Sequence, residues 1–254
     1  MAFGSMDNRL FGATGKPGGS NDAQRVSLVE WQNEVLGIFD KIRKHNKPYE
    51  IKVGKFDLTI LPNVFSPKYF TDSLWFAETL PKIVGTGSLL EVGSGTGIVS
   101  LYCADAGASV TATDISPEAS QNTALNARRN GQRVSVCNGD MFEAIRENEK
   151  FDFIFWNHPF NNWDTPVDDM LLRAGLDERY AGLRKYVSEG PGHLSEGGSL
   201  LLGTGDMADL KEIEKIAEEN GCRLAFLDSV ELPVEHGGSV SNSYLIYRFD
   251  RKEK

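Results

Sequence analysis

Cysteine is scarce in this chain: Cys103, Cys137 and Cys222 are the only three in 254 residues, with no C-x-x-C pair among them. An odd, scattered set argues against a disulfide framework or a thiolate metal site and reads as reduced core thiols of a cytoplasmic protein. The four histidines (His45, His158, His193, His236) show no ligand spacing either, so no metal is expected. No apolar run approaches a bilayer span and no signal-peptide pattern opens the chain, which argues against a membrane role. Positive charge is in deficit, 27 Lys and Arg against 36 Asp and Glu, for a net charge of −9. Proteins that grip extended nucleic acid usually carry a basic field. Two local clusters (Lys41, Arg43, Lys44, Lys47; Arg128, Arg129, Arg133) keep RNA open, although clusters of this size also form solvated helix faces. Two nucleotide motifs fail as well. GATGKPGG has Pro17 where a phosphate loop needs Ser or Thr, and a dinucleotide fingerprint would need glycine where Ile98 stands.

What is present describes an ordinary globule, 40% hydrophobic and 25% charged, long enough for one large α/β domain plus a modest extension. Residues 1–24 are rich in Gly, Ser and Asn and read as a disordered tail, with residues 1–5 a cloning remnant before Met6. Residues 25–82 form an N-terminal unit. Ser27 and Glu30 make a capping box for a helix carrying Leu28, Trp31, Val35, Ile38, Phe39 and Ile42 at helical spacing. A short hairpin follows, Tyr49–Val53 and 56–61 around Gly54-Lys55. After Pro62 comes NVFSPKYFTDSLWFAETL, where Pro67 is expected to open a new helix. Residues 83–254 then alternate strand and helix at short spacing, the pattern of a parallel sheet built from right-handed crossovers.

The most informative segment is LLEVGSGTG. Leu89, Leu90 and Val92 are apolar on both faces, as a central strand of a helix-covered sheet should be. Gly93, Gly95 and Gly97 let the backbone turn into a helix at Ile98–Asp105 and allow close approach of a ligand. Further strands are expected at 109–113, 133–137, 151–156, 199–203, 224–230 and 243–249. Helices are expected at 116–130, 141–148, 177–189 and 207–220. The 109–113 strand ends at Asp114, NGDMF follows the next, and 151–156 ends in Asn157-His158-Pro159-Phe160. Polar groups at the carboxyl ends of parallel strands are where open α/β sheets bind ligands. A buried amide directly after five nearly continuous apolar residues is costly without partners, which makes Asn157 hard to dismiss as packing.

The run E-x-G-x-G-x-G from Glu91 to Gly97 resembles motif I of the class I S-adenosylmethionine-dependent methyltransferases. Asn157-His158-Pro159-Phe160 resembles the N/D-P-P-F/Y/W motif of enzymes in that class acting on amino or amide nitrogen. The Asn63-Val64-Phe65-Ser66 segment is similar to the G-V-F-S preceding motif I in the small-domain methyltransferases of rRNA guanine-N2 and protein-glutamine type. Together the resemblance covers about residues 63–249. It implies a Rossmann-like α/β fold with helices on both faces of a seven-stranded, mostly parallel sheet. The implied order is 3-2-1-4-5-7-6 with the last strand antiparallel, preceded by the small helix and hairpin. It implies S-adenosyl-L-methionine as cofactor, with S-adenosyl-L-homocysteine as product, held by Glu91, Gly93, Ser94, Gly95, Gly97, Asp114, Ile115, Asp140, Met141 and Asn157.

By the same resemblance, Asp114 would accept the ribose hydroxyls and Asp140 would face the adenine. Both residues also suit ordinary helix starts. The Asn157 side-chain oxygen and the backbone oxygen of His158 would hold the target nitrogen, with Phe160 stacking on a planar group. His158 stands where the family has proline, and is either a general base or a structural replacement. Phe65, Phe160 and Trp163 are candidate substrate contacts, with Trp163 and Asp164, and more weakly Trp156 and Tyr180, suited to a cationic group. The irregular stretch 161–173 would border the acceptor pocket. The expected function is N-methylation of a small molecule or a protein side chain. RNA base-amino methylation is the alternative, and a non-catalytic cofactor-binding partner protein the second.

Overall fold

The structure is a computed structural model describing residues 27–252; the tail assigned to residues 1–24 lies outside the described residues. Helix α1 (Leu28–Arg43) starts at the expected capping box. Ser27 Oγ accepts from the Glu30 N–H and the Glu30 carboxylate accepts from the Ser27 N–H at 2.9 Å. Its apolar stripe is buried through Trp31, Val35, Ile38, Phe39 and Ile42. Strands β1 (Tyr49–Val53) and β2 (Phe56–Ile60) form the hairpin, and α2 (Asp72–Val84) leads into the main sheet.

That sheet contains β3 (Ser88–Val92), β4 (Ser109–Asp114), β5 (Val134–Asn138), β6 (Phe151–Asn157), β9 (Leu194–Gly205), β10 (Cys222–Pro233) and β11 (Ser241–Arg251). Its order is β10-β11-β9-β6-β3-β4-β5. The pairs from β5 through β9 are parallel, and β11 runs antiparallel to both β9 and β10. This is the expected seven-stranded arrangement. Helices α3 (Ile98–Asp105) and α4 (Pro117–Arg129) follow β3 and β4; α5 (Ala181–Glu189) and α6 (Leu210–Glu219) follow later strands. One core packs α2, α3 and the hairpin on one face of the sheet, and a second packs α5 and α6 on the other. A third apolar cluster joins α1 to Phe70, Leu171 and Val234.

The hairpin is fastened to the domain by an asparagine ladder. Asn122, Asn126 and Asn130 stand at four-residue spacing along α4 and therefore on one face. They accept from the backbone N–H groups of Leu61 (2.8 Å), Thr59 (2.8 Å) and Asp57 (3.2 Å). The side-chain amides of Asn122 and Asn130 donate in return to the Thr59 and Asp57 carbonyls. A helix rises about 6 Å over four residues and a strand nearly 7 Å over two, so the two repeats stay in step. Asn126 also donates to the buried Thr96 carbonyl at 2.9 Å, tying the ladder to the glycine turn. Asn126→Ala orphans both the Thr59 N–H and the Thr96 carbonyl, a loss of about 2–4 kcal/mol. Calorimetry should show the melting temperature falling by roughly 4–16 °C; no fall would mean the ladder carries no stability.

Three expected elements differ. Residues 141–148 form successive turns, not a helix. Met141 sits at φ +51°, and Glu143 and Ile145 donate only three residues back. Met141, Phe142 and Ile145 are instead the apolar residues of a turn packed into the second core. The helix expected from 177 begins at Ala181. Asp177 instead lies in β8 (Leu176–Glu178), paired with β7 (Asn161–Trp163), and its carboxylate accepts from the Gly182 and Leu183 N–H groups at 2.9 and 3.0 Å. Arg179 and Tyr180, both at positive φ, turn the chain between them. Pro67 opens a turn, and the helix begins only at Asp72. The stretch 161–173 is thus partly ordered by β7. Among the described residues no helix is long and apolar enough to cross a membrane.

Candidate active site

The chain leaves β3 toward β4 on one side and returns to β6 on the other. The carboxyl ends of these three strands therefore border a crevice at a topological switch point. A cleft of about 160 Å³ opens there. Gly93, Gly95 and Gly97 hold φ of +65°, +55° and +81°, a left-handed succession that side chains disfavour. A Cβ on Gly93 would approach the Trp156 indole nitrogen to 2.9 Å, whereas one on Gly95 would meet no protein atom within 4 Å. Gly95 thus presents bare backbone to the cleft. Gly97 does not line the cleft; a Cβ there would strike Thr123 of α4 at 2.8 Å, so this glycine serves helix packing. Asn63, at the position of the family's glycine, adopts φ +60°, which asparagine tolerates better than most residues.

Two acids lie beneath this turn. One Asp114 oxygen accepts from the Gly95 N–H at 2.8 Å and the other from the Ser116 N–H at 2.9 Å. Asp114 therefore braces the turn and lines the cleft, while the N-cap of α4 is Ser116. Burial raises its carboxyl above the usual range, against the pull of those two hydrogen bonds. Glu91 accepts from the Ser100 N–H at 2.9 Å and from the Ser100 hydroxyl. Burial, with a smaller push from the Asp114 charge, carries it up to about 8. Ser94, Ile115, Asp140 and Met141 also line the cleft. The Asp140 carboxylate is paired there with Lys185 at 2.9 Å.

Asn157 closes the cleft at the end of β6. Its Nδ2 donates to Asp72 at 2.9 Å, while its Oδ1 is buried with no partner among the described residues. Asp72, which sequence reasoning missed, is the first residue of α2 and is buried. Desolvation raises its carboxyl, offset by hydrogen bonds from Asn157 and Ser73. In sequence it looks like any acid at a helix start; no local signal distinguishes it.

Beyond Asn157 lies a second, smaller cavity of about 40 Å³ with Phe65, His158, Phe160 and Trp31 in its wall. Phe65 and Asn157 line both spaces. Trp163 lines neither, because the β7–β8 pairing holds it elsewhere. Tyr180 is a brace, its hydroxyl donating to the Phe160 carbonyl at 2.7 Å and accepting from the Asp209 N–H.

His158 is 2% exposed, with Nε2 2.8 Å from the Thr204 hydroxyl. Burial alone holds its imidazole down to about 3, so this geometry suits a neutral packing residue better than a general base working near neutrality. Between about 3 and the ordinary 6.5 of the unfolded chain, the unfolded state binds more protons at this residue. Stability must therefore fall as pH drops through that window. His158→Gln should lose less melting temperature than the wild type between pH 7 and pH 5. Equal losses in paired thermal melts would place this imidazole in contact with solvent.

The fold and this cleft define a class I methyltransferase, and the comparisons agree. The methyltransferase small domain family matches residues 55–218, and the chain belongs to it. A Methanocaldococcus jannaschii protein, named provisionally for protein N5-glutamine methylation, is 28% identical over 73% of this chain and 94% of its own length. The ribosomal RNA small subunit methyltransferase C of Vibrio parahaemolyticus is 27% identical over 61% of this chain. The chain spans only 42% of that relative. A T. thermophilus 16S rRNA guanine-N2 methyltransferase, solved with S-adenosylmethionine and guanosine, superposes with a TM-score of 0.59 at 20% identity. That superposition covers 81% of this chain and 50% of the other, and it shows the shared fold.

The protein is an S-adenosylmethionine-dependent methyltransferase. Its residues fit that cofactor: bare backbone at Gly95, a buried Asp114 at the end of β4, and apolar Ile115 and Met141 in one cleft.

Proposed function

We propose that this enzyme methylates an amide or amino nitrogen carried by a small molecule or a protein side chain. The observation that carries this reading is the buried Oδ1 of Asn157, which has no partner among the described residues and whose orientation is set by the bond from Nδ2 to Asp72. A buried, unpaired acceptor calls for a hydrogen-bond donor, and the N–H of a target amide or amine supplies one. When bound, S-adenosylmethionine supplies the methyl group, activated by its sulfonium. Asn157 Oδ1 accepts from the target N–H and, with the His158 backbone carbonyl, fixes the nitrogen so that its lone pair faces the cleft. Asp72 keeps the Asn157 amide from flipping. Aromatic side chains, Phe65 and Phe160 among them, exclude water. The nitrogen gains the methyl as the methyl–sulfur bond breaks, leaving S-adenosylhomocysteine, and the nitrogen's surplus proton is released to solvent with the product. The M. jannaschii relative's name points to the same chemistry on a protein side chain.

A second reading, methylation of an RNA base amino group, draws on the name of the Vibrio relative. The charge distribution supports it less. Lys41 pairs with Glu235, Arg43 with Asp169, and Arg129 with Glu50, so these members of the basic clusters are already matched. The test is transfer of labelled methyl from S-adenosylmethionine into fractionated cell extract, comparing wild type with Asn157→Ala. Label in the protein or low-molecular-weight fraction, lost in the variant, supports the first reading. RNase-sensitive label supports the second.

A further inference from the structure

We propose that Arg173 sets acceptor specificity: its guanidinium binds a carboxylate carried by a small-molecule acceptor whose nitrogen reaches Asn157. The inference rests on the reading of Asn157 given above and narrows its acceptor class. Among the described residues, Arg173 is the only Lys or Arg lining the cofactor cleft. The three carboxylates lining that cleft are committed elsewhere, Glu91 to Ser100, Asp114 to Gly95 and Ser116, and Asp140 to Lys185. Asp177 also feels the Arg173 charge, but its two oxygens are taken by the Gly182 and Leu183 N–H groups. The guanidinium makes no ion pair or hydrogen bond among the described residues. The cleft thus offers one unmatched positive charge.

The backbone that carries this charge is held in place. Asp169 Oδ1 accepts from the Leu171 and Leu172 N–H groups at 3.0 and 3.1 Å, and the Asp169 carbonyl accepts from the Arg173 N–H at 3.1 Å. The Asp169 carboxylate pairs with Arg43 of α1 at 2.5 Å. Gly175 lies so close to α1 that a Cβ would come to 2.6 Å from Phe39. Ala174, the next residue after Arg173, lines both the cleft and the smaller cavity, as Phe65 and Asn157 do. Arg173 therefore stands beside the boundary of the two spaces, where an acceptor presenting its nitrogen to Asn157 would lie.

The chemistry selects a carboxylate. A guanidinium presents a planar fork of N–H donors that matches the two oxygens of a carboxylate. A phosphate usually gathers further cations or the free N–H groups of a glycine turn. Here no second cation lines the cleft, and the Gly95 N–H is already held by Asp114. An ion pair open to water is worth little. Covered by a ligand seated in the cleft, the same contact is a charge-assisted hydrogen bond worth about tenfold or more in affinity.

The test has two arms. The first follows the arginine Nε–H groups by nitrogen-15 spectroscopy of the whole chain saturated with S-adenosylhomocysteine. The Arg173 signal is identified by its loss in Arg173→Gln, a variant expected to fold because the residue is exposed. Benzoate should shift that signal saturably, and neutral benzamide should not. The second arm transfers labelled methyl from S-adenosylmethionine into the low-molecular-weight fraction of cell extract. The labelled product should couple to an amine through carbodiimide, a reaction that reports a carboxylate. At limiting extract, Arg173→Gln should lower the labelling rate about tenfold, and Arg173→Lys, which keeps the charge without the fork, should restore part of it. The S-adenosylmethionine dissociation constant of Arg173→Gln should stay within about threefold of wild type, since the guanidinium is assigned to the acceptor. A signal unmoved by benzoate, or moved equally by benzamide, overturns the inference. So does a stronger response to inorganic phosphate, or a cofactor dissociation constant that rises as far as the labelling rate falls, which would give Arg173 to the cofactor's own carboxylate. Label that depends on Asn157 but enters protein, or a product without a carboxylate, overturns the acceptor class and leaves the proposed function standing. Methylation indifferent to Asn157→Ala removes the reading on which the inference rests.

Discussion

Asn157→Ala is expected to lower turnover about 100-fold or more while S-adenosylmethionine affinity stays within about threefold. The argument is positional. The side-chain oxygen is buried, has no partner among the described residues and is held in orientation by Asp72, so in the proposed reaction it would meet the target N–H without reorganisation. Losing it lets the nitrogen rotate away from the line of attack, and misplacement on the scale of an ångström costs about that factor. The change corresponds to about 2.7 kcal/mol in the barrier. Because Asp72 would then lose its Asn157 hydrogen bond in a buried site, the variant should also melt a few degrees lower. Turnover must accordingly be measured well below that temperature. A loss of threefold or less would remove Asn157 from the reaction. A parallel rise in the cofactor dissociation constant would make it a cofactor contact instead.

Asp114→Ala should do the opposite and raise the S-adenosylmethionine dissociation constant about 100- to 10 000-fold. Two hydrogen bonds from ribose hydroxyls to one carboxylate are together worth about 3–6 kcal/mol. Part of the effect is indirect, because Asp114 also holds the Gly95 and Ser116 N–H groups. Asp114→Asn separates the two contributions. It keeps one acceptor oxygen for the turn but loses the charge, and should fall between wild type and Asp114→Ala by calorimetric titration. At saturating cofactor, turnover of the Asn variant should stay within about tenfold of wild type. Unchanged affinity in both variants would leave Asp114 only its role as a brace.

The local features were legible because they are local in physics. A glycine-rich turn after an apolar strand announces itself through backbone freedom at Gly93 and Gly95, and both line the cleft with Glu91, Asp114 and Asn157. The capping box at Ser27 and the hairpin at Gly54 were readable for the same reason. The errors share a cause too. Met141, Phe142 and Ile145 have spacing that a helix or a buried turn can equally satisfy, and packing against the second core decided for the turn. Asp177 read as part of a helix because its partners at Gly182 and Leu183 make it a cap from outside.

The chain's order of strands and helices, the cofactor turn, and the placement of Asp114 and Asn157 at strand ends follow from periodicity and turn chemistry within a few residues. The tertiary structure alone decided which polar atoms remain unpaired. Asp72 meets Asn157 across 85 positions, His158 is sealed beneath the site against Thr204 46 positions away, and α1 brings Trp31 to the wall of the smaller cavity. Such encounters depend on how distant surfaces pack, which no local sequence pattern records.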